Sequence, residues 1–346
     1  MRAKIPEGLS IYLDVTRFFA ASVVLLHHTW SLVFPRFPLP WPGHSAVVVF
    51  FVLSGYVITH ASRPGIGLRT FIQHRMARIL PVAIGSLLLS ICLFPLANTE
   101  AIPNSGSMAF SWQNIGINAI FLGQSWVDIA PTFNAPFWSL NYEVWYYIIF
   151  GAWLFAPSKL LVIPFALIAG PKILLLLPVW LLGVALYKWM PTLKPASAGW
   201  LFASTVITGL AFFWFDVSIH IRESMKATWP VAMSYTQGSN QFVGDFLLGL
   251  IVAANFTAAA SLRMTTLQKL HVPVRYLSSF TFSIYVFHMP LTVLLWNGLA
   301  IHNAIGFYTG LALLIYCLGE LTERRTGFYR ALLQRQPVGR AISHKA

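Results

Sequence analysis

The chain has 346 residues, of which 57% are hydrophobic and 10% are charged, and its formal net charge is +13. Soluble domains carry roughly 25% charged residues, so this composition excludes an ordinary soluble domain. Within lipid only helices and closed barrels satisfy the backbone polar groups, and the uninterrupted apolar runs here have the length of helices rather than the alternation of barrel strands.

Taken in chain order, the apolar runs predict an all-α polytopic membrane protein with about ten transmembrane helices. The runs lie at residues 11–34, 45–62, 79–97, 137–156, 158–170, 172–189, 199–217, 240–257, 278–299 and 304–321. No internal repeat or low-complexity tract divides them. We therefore interpret residues 1–346 as a single membrane domain, with a core at about 10–320 and a basic tail at 322–346.

The first run could be mistaken for a signal peptide, because Arg2 and Lys4 precede it. Ionisable residues interrupt it, however, and no small-x-small cleavage site follows, so we interpret it as an uncleaved first span. The interrupting residues are Asp14, Arg17, His27 and His28.

The distribution of basic residues predicts the orientation. With the amino terminus inside, 23 Lys and Arg residues divide unevenly: four lie in outer loops, Arg17 lies within the first span, and the remainder lie in inner segments. The four outer residues are Arg36, Lys172, Arg222 and Lys226. By the positive-inside rule we expect both termini in the cytoplasm, an external loop at 98–136 and a place in the plasma (inner) membrane. The same rule accounts for the net charge, so we expect the lipid bilayer and not nucleic acid as the partner of these residues.

The first span places two ionisable side chains on one helical face. Arg17 and His28 are eleven residues apart, which is three turns plus about 20° and about 16 Å along the axis. His27 points about 80° away from Arg17. Ionisable residues within lipid suggest a functional role, but a structural role is also open: Arg17 can pair with Asp14 three residues earlier, and His28 can form a helix–helix hydrogen bond.

A second ionisable residue, Glu143, lies in the segment "FWSLNYEVWYY", near the expected outer end of the fourth span. Because His28 is expected at a similar depth, the two residues are candidates for a general base and the carboxylate that orients it. The open alternative is that Glu143 pairs with another donor that makes its burial in lipid tolerable. Tyr146 and Tyr147, one turn further along, are more typical of an interfacial aromatic belt.

Two further segments carry candidate site residues. In "TFIQHRMARILP", Arg75 and Arg78 precede Pro81 on the expected cytoplasmic side, and the planar guanidinium group suits phosphate. A donor of the CoA type would meet the protein there, although anchoring by the positive-inside rule explains many such arginines. In "SFTFSIYVFHMP", His288 lies in mid-span beside Pro290, where a lone histidine is more often structural.

The sequence lacks the motifs that are typical of several other mechanisms. The sequence has no P-loop, no G-x-G-x-x-G fingerprint, no H-E-x-x-H and no G-x-S-x-G, which argues against NTP-driven transport and zinc-protease chemistry. The two cysteines have no metal-ligand spacing, so no metal is expected. A secondary transporter or flippase stays open as the alternative function, although such proteins usually show inverted repeats.

Four motifs in order resemble the membrane acyltransferase-3 family, whose members O-acylate polysaccharides, lipopolysaccharides, lipo-oligosaccharide signals and some antibiotics. They cover residues 10–320. The motifs are Arg17 with His28, the "FFVLSG" segment that contains Ser54, Arg75 with Arg78 and Pro81, and "FWSLNYEVWYY" with Glu143. The late "SIYVFHMP" segment also resembles the family. The sequence departs from the family at His74, where a further basic residue is frequent, and at "DVT" before Arg17.

The resemblance implies a membrane domain of ten core spans and an O-acyltransferase. By the resemblance His28 would be the base of acyl transfer, and Arg75 and Arg78 would bind the donor. From the residues themselves we expect Glu143 as the partner of His28, and Arg17, whose charge suits phosphate, as a further donor-binding residue. Asp14, Ser54, Tyr146 and His288 are expected to support the site. No bound cofactor is implied. Acyl-CoA, and acetyl-CoA first of all, would be the co-substrate, a cell-surface or exported glycan or glycolipid the acceptor, and polysaccharide-assembly proteins further partners.

Overall fold

The computed structural model describes residues 5–62, 65–100, 102–103 and 105–334. Over these residues the regular structure is helical throughout, which confirms the predicted all-α class. The α-helices are α1 (Glu7–Val33), α2 (Gly43–Ala61), α3 (Leu68–Cys92), α4 (Trp112–Ala119), α5 (Trp138–Phe155), α6 (Val162–Trp189), α7 (Pro195–Trp214), α8 (Val217–Thr228), α9 (Pro230–Ser234), α10 (Phe242–Ser261), α11 (Thr265–Lys269), α12 (His271–Ser278), α13 (Thr281–Val293), α14 (Ala304–Leu321) and α15 (Thr326–Gln334).

Short helical turns join several of these elements. They are 3-10 turns at Phe94–Leu96, Ala135–Phe137, Lys159–Leu161, Gln237–Ser239 and Glu323–Arg325, and a π-helical turn at Leu294–Gly298 that extends α13. We call the end of the bundle where α1 begins the inner side, and the end where α1 finishes the outer side. That the inner side is cytoplasmic stays a prediction.

Within the described residues, seven helical stretches are long and apolar enough to cross a membrane. They are Glu7–Val33, Gly43–Ala61, Leu68–Cys92, Lys159–Trp189, Pro195–Trp214, Phe242–Ser261 and Ala304–Gln334. An eighth results if His271–Ser278 and Thr281–Gly298, which meet at 44°, are counted together as one bent span. The protein is therefore a multi-pass membrane protein, but the predicted count of ten is not confirmed.

The difference in count has two identifiable causes. The predicted span at 137–156 corresponds to α5, whose Trp, Tyr, Asn and Glu residues lower its hydropathy although the helix is 18 residues long. The predicted spans at 158–170 and 172–189 both fall within the single stretch Lys159–Trp189.

Gly170 divides this stretch. Its φ is +82° and its ψ is 170°, a conformation that residues with a side chain rarely adopt, and Pro171 follows at the first position of the next helical segment. A Cβ at Gly170 would lie 2.6 Å from the carbonyl oxygen of Ser125. The backbone can therefore bend sharply here and approach the segment between α4 and α5 only because this residue is glycine.

The contacts on either side of Gly170 show the direction of the two limbs. Lys159 bonds to the carbonyl of Trp153 at the end of α5, so the first limb starts there and runs back along α5. After the bend, the hydroxyl of Tyr146 donates to the carbonyl of Ile173 at 3.1 Å, and α5 stays in contact further along α6, so the second limb runs parallel to α5. By length, Lys159–Trp189 counts as one span. The chain nevertheless reverses direction at Gly170, so the predicted runs at 158–170 and 172–189 correspond to the two limbs.

The centre of the bundle is formed by α2, which packs closely on the second limb of α6. A Cβ at Gly183 would lie 1.9 Å from the carbonyl oxygen of Val52, and a Cβ at Gly55 would lie 2.1 Å from the carbonyl oxygen of Trp180. Such close backbone approach through small residues is typical of helix pairs in membranes. On its other side α2 faces α1, which in turn packs against α13. The site lies among these helices.

Candidate active site

Polar and ionisable residues of four helices meet in one cavity within the bundle, which we call the inner cavity. Arg17 comes from α1, Ser54 from α2, Arg78 from α3, and Glu143 and Tyr147 from α5. Its remaining walls are formed largely by aromatic and aliphatic side chains, among them Phe50, Phe51, Val57, Leu140, Phe282 and Tyr285. Residues from all four sequence motifs thus lie together. In the sequence, only the family resemblance connected these motifs with one another.

Glu143 is the hub of the hydrogen bonds in the inner cavity. Its carboxylate accepts from the hydroxyl of Ser54 at 2.9 Å and from the hydroxyl of Tyr147. The oxygens of Ser54 and Tyr147 are themselves 3.0 Å apart, and the indole of Trp180 donates to Ser54 at 3.3 Å. A carboxylate within a membrane domain needs such donors, because an unpaired buried charge is costly.

The two tyrosines after Glu143 have different surroundings. Tyr147, four residues along and therefore on the same face of α5, lines the inner cavity. Tyr146 is buried against α6, where its hydroxyl donates to the carbonyl of Ile173. The expected supporting residue Tyr146 is thus a packing residue away from the cavity. Its neighbour takes the place at the site, and the spacing of four from Glu143 is the signal that would have identified it.

The three arginines of the motifs lie in or beside the inner cavity, each with different neighbours. Arg17 lies 3.8 Å from Asp14, the pairing that their spacing predicted. Arg78 lines the inner cavity. Arg75 lines a neighbouring apolar groove between α3 and α5, and its guanidinium carbon lies 5.6 Å from the ring centroid of Tyr147. Tyr147 therefore forms the wall between the two arginines of the R-x-x-R motif.

Arg75 has an unsatisfied donor. Its Nε is buried and has no hydrogen-bond partner among the described residues. A buried guanidinium N–H without an acceptor is unfavourable, and the planar fork of arginine matches the oxygens of a phosphate group. The arginine side of the site is thus suited to an anionic ligand that is absent from the protein alone.

A second cavity, which we call the outer cavity, lies at the other end of α1. His28 lines it together with His27, His44, Trp138 and Tyr285. Nδ1 of His28 lies 2.8 Å from the carbonyl oxygen of Val24. A carbonyl can only accept, so Nδ1 carries the hydrogen, and the lone pair of the neutral ring is on Nε2. His28 thereby has the tautomer of a general base.

The ring of His28 is held by another histidine. Nε2 of His288 lies 3.3 Å from Nδ1 of His28. Nδ1 of His288 lies 3.0 Å from the carbonyl of Ile284 and 2.9 Å from that of Tyr285, so it is the protonated nitrogen and Nε2 is the acceptor. The N–H of His28 is therefore shared between the carbonyl of Val24 and Nε2 of His288. His288, from the "SIYVFHMP" segment, thus lies beside the expected base.

The expected pair of His28 and Glu143 is not formed among the described residues. The two side chains line different cavities and have different partners, His288 for the first and Ser54 with Tyr147 for the second. The prediction rested on equal depth in the membrane, and depth does not set the direction in which a side chain points. The face of α1 that carries His28 meets α13, and α5 directs Glu143 toward the arginines.

His27 also differs from expectation. Although it points away from Arg17 around α1, it lines the outer cavity beside His28. Its Nδ1 lies 2.6 Å from the carbonyl of Trp41, and its ring covers the start of α2, where a Cβ at Gly43 would lie 2.5 Å from the ring. The outer cavity is wide enough to include two adjacent faces of α1.

Tyr285 lines both cavities and lies between them. Its hydroxyl is 2.6 Å from that of Ser139 and donates to the carbonyl of Pro136 at 3.1 Å, and its ring packs edge-on against Phe50 at 5.6 Å. Arg17 lies in the cavity on one side and His28 in the cavity on the other. Arg17 and His28, which the sequence predicted on one face of α1, therefore line two neighbouring cavities.

A carboxylate fixes the helix that carries Tyr285 and His288. Glu323 accepts from the backbone N–H groups of Phe282 at 3.2 Å and of Ser283 at 2.8 Å, at the start of α13. These N–H groups have no partner within the helix, and a negative charge at a helix N-terminus is favourable. Glu323, which the sequence did not single out, thus joins the start of α13 to the turn that follows α14.

Sequence reasoning also missed an ion pair at the outer cavity. Nε2 of His44 lies 3.0 Å from each carboxylate oxygen of Asp245. Asp245 is an acidic residue inside a predicted span, which is the signal that pointed to Arg17 and Glu143. His44 gives no such signal, because it follows a Pro-Gly pair and precedes the second predicted span.

Comparison with known proteins gives two matches. A family model described as an acyltransferase domain matches residues 10–321. The acyltransferase MdmB of Streptomyces mycarofaciens is 35% identical over 115 residues, which are 32% of this chain and 28% of that protein. The aligned part is therefore little more than a quarter of the length of that relative. No solved structure matches the chain.

Proposed function

Because the chain belongs to the acyltransferase-3 family, we propose that it transfers an acyl group from acyl-CoA on the inner side to a hydroxyl of a glycan or glycolipid on the outer side. The coarse activity, that of a membrane acyltransferase, follows from the family. The proposal adds acyl-CoA, with acetyl-CoA as the first candidate, as the donor, the hydroxyl acceptor and a plasma (inner) membrane location.

The donor half of the proposal is supported by the arginines. Arg17, Arg75 and Arg78 are set around the inner cavity and the groove beside it, and the buried Nε of Arg75 lacks an acceptor. The phosphates of CoA would provide acceptors, and charge-assisted bonds from arginine to phosphate are among the stronger hydrogen bonds. In this arrangement Glu143 is held by the hydroxyls of Ser54 and Tyr147, and its negative charge limits the mutual repulsion of the arginines.

The acceptor half is supported by His28. Its free Nε2 would take the proton of the acceptor hydroxyl as the oxygen forms a bond to the thioester carbonyl carbon. The carbon–sulfur bond then breaks, and the CoA thiolate leaves and takes the proton from Nε2 of His28, which restores the neutral base. The imidazolium formed on His28 keeps its Nδ1–H bonds to the carbonyl of Val24 and to Nε2 of His288, so the charge develops within an existing network.

The observation that carries the proposal is the order of the groups from the inner to the outer side. Cationic residues line the inner cavity, His28 with the lone pair on Nε2 lines the outer cavity, and Tyr285 lies between the two. A donor from one side and an acceptor from the other would meet near Tyr285. A secondary transporter or flippase is the alternative from another class, and buried ionisable residues suit it equally.

The two functions are distinguished by following both parts of a labelled donor. Purified protein in detergent is incubated with acetyl-CoA labelled in the acetyl group, and free CoA and labelled ester or acetate are measured. We expect release of CoA that depends on His28. Absence of CoA release, together with movement of intact substrate across proteoliposomes, would establish transport and overturn the proposal.

A further inference from the structure

The outer cavity contains a second histidine that the mechanism above does not use. His44, on the first turn of α2, faces this cavity, and 29% of its side chain is exposed. Asp245, which comes from α10, is 1% exposed. Both oxygens of that carboxylate lie 3.0 Å from Nε2 of His44. The carboxylate–imidazole pair expected for His28 is thus present at another histidine of the same cavity.

The ring of His44 is fixed in position and tautomer. Asp245 can only accept when ionised, so Nε2 carries a hydrogen and donates it to the carboxylate. The indole of Trp138 stacks on the imidazole with ring centroids 5.9 Å apart and planes 10° apart. Nδ1 lies on a different edge of the ring from the edge that Asp245 holds. Among the described residues no further hydrogen bond to this ring is found, so Nδ1 is left for a ligand.

We propose that His44 binds a hydroxyl group of the acceptor through Nδ1, with Asp245 as the residue that positions the ring. The inference rests on the proposed function and adds to it a binding subsite for a polyol. A hydroxyl both donates and accepts, so it can bond to Nδ1 whether or not that nitrogen carries a hydrogen. His28 in the same cavity then acts on the hydroxyl that reacts.

The charges of the two cavities support an uncharged ligand at this place. The arginines that suit phosphate are at the inner cavity and its adjoining groove. At the outer cavity a protonated His44 is balanced by Asp245, and a neutral His44 leaves the carboxylate in excess. Arg222, a cation whose charge acts on His44, is itself paired with Glu223 at 2.7 Å. Neither state of His44 favours a phosphate group, whereas a hydroxyl is bound without any change of net charge.

The first experiment measures how the acyl group is partitioned. Wild-type protein and the variants His44→Gln and Asp245→Asn receive labelled acetyl-CoA with glycerol as the probe acceptor, and the ratio of glyceryl ester to free acetate is measured. We expect both variants to lower this ratio about three- to tenfold, the factor that follows from loss of one neutral hydrogen bond. His220→Gln, on the exposed helix α8, is the matched control and should keep the wild-type ratio.

A wild-type ratio in both folded variants would overturn the inference and leave the proposed function standing. If wild-type protein releases no CoA, the proposed function fails instead, and a second experiment that needs no activity then decides on the subsite. Histidines of the folded protein are modified with diethyl pyrocarbonate, which attacks an accessible unprotonated imidazole nitrogen, and the modified residues are identified by mass spectrometry with and without glycerol.

We expect glycerol to protect His44 against modification and to leave the exposed His220 equally modified. The modification is carried out in a buffer alkaline enough to deprotonate imidazoles. Equal modification of His44 with and without glycerol would then overturn the subsite, and so would an absence of modification at His44 in both samples, because Nδ1 would not be accessible. Asp245→Asn should weaken the protection at His44, because the ring loses the negative charge and one of the two accepting oxygens that set its orientation. A variant that keeps full protection would remove Asp245 from the proposal.

Discussion

Nδ1 of His28 and Nε2 of His288 lie 3.3 Å apart, although 260 residues separate them in the chain. The N–H of His28 points at a neighbour that can accept it, and the lone pair of His28 is left facing the outer cavity. This relationship makes the two histidines a unit and gives the first two predictions.

The first prediction concerns His28 itself. His28→Ala should lower acyl transfer by about 10²–10⁴-fold, the usual contribution of a general base, while binding of acyl-CoA is retained because the arginines are untouched. The measurement is CoA release at saturating donor, with donor affinity measured separately. His27→Ala is the neighbouring control. A greater loss at His27 than at His28 would place the acid–base centre elsewhere.

The second prediction concerns His288. His288→Leu removes the acceptor for the N–H of His28 and should lower kcat about tenfold or more, since a hydrogen bond to a group that becomes charged is lost. His288→Gln offers an amide oxygen at a similar place and should retain more activity. Donor KM should be unchanged in both variants. Equal activity of the Leu and Gln variants would show that His288 acts by packing alone.

The third prediction concerns the donor. Arg78→Ala and Arg75→Ala should each raise the KM for acyl-CoA, because each removes a partner for phosphate, and lysine at either position should rescue only in part since it lacks the planar fork. The exposed Arg69 on the same helix provides the matched control. An unchanged affinity for acyl-CoA in a folded Arg75→Ala/Arg78→Ala double variant would leave membrane anchoring as the role of this pair.

The fourth prediction concerns the network around Glu143. Glu143→Gln removes the charge between the arginines, and Tyr147→Phe removes one donor to the carboxylate. If the network acts as a unit, the effects of the two substitutions on donor KM should not be additive, and the double variant should resemble Glu143→Gln. Tyr146→Phe is the control on the same helix and should affect stability more than KM. Additive effects of Glu143→Gln and Tyr147→Phe would separate the two roles.

The fifth prediction concerns topology. A reporter active only in the cytoplasm, fused after Ala346, should be active, and a cysteine introduced into the loop at 98–136 should react with a membrane-impermeant reagent from outside intact cells. The basis is the excess of Lys and Arg in the expected inner segments. The opposite result at both positions would invert the inner and outer cavities and with them the assignment of donor and acceptor sides.

Much of the architecture could be predicted from the sequence, because a segment within lipid has to satisfy its own backbone hydrogen bonds. An apolar run of sufficient length has to be helical, and every predicted span corresponds to a helix or to a limb of one. The pairing of Asp14 with Arg17 follows from local helical spacing, and the structure confirms it. Such features depend on residues close together in the chain.

What could not be predicted depends on how helices are rotated against one another. Depth placed Glu143 near His28, but rotation of α5 turned it toward Ser54 and Tyr147, and α13 brought His288 to His28 instead. His44 and Asp245 form a pair although they are 201 residues apart in the chain. No local pattern gives such a contact, although the acidic residue within an apolar run marks one of its members.

In the proposed function two substrates enter one site from opposite faces of the membrane, and such a site is also a potential leak for protons and ions. The hydroxyl of Tyr285 is held by Ser139 and Pro136, its ring packs against Phe50, and the residue lines both cavities, so we expect its side chain to separate them. A smaller residue at position 285 would therefore harm the cell in a way unrelated to catalysis. It would lower the membrane potential, and a voltage-sensitive dye would report that loss even in cells that contain no acceptor.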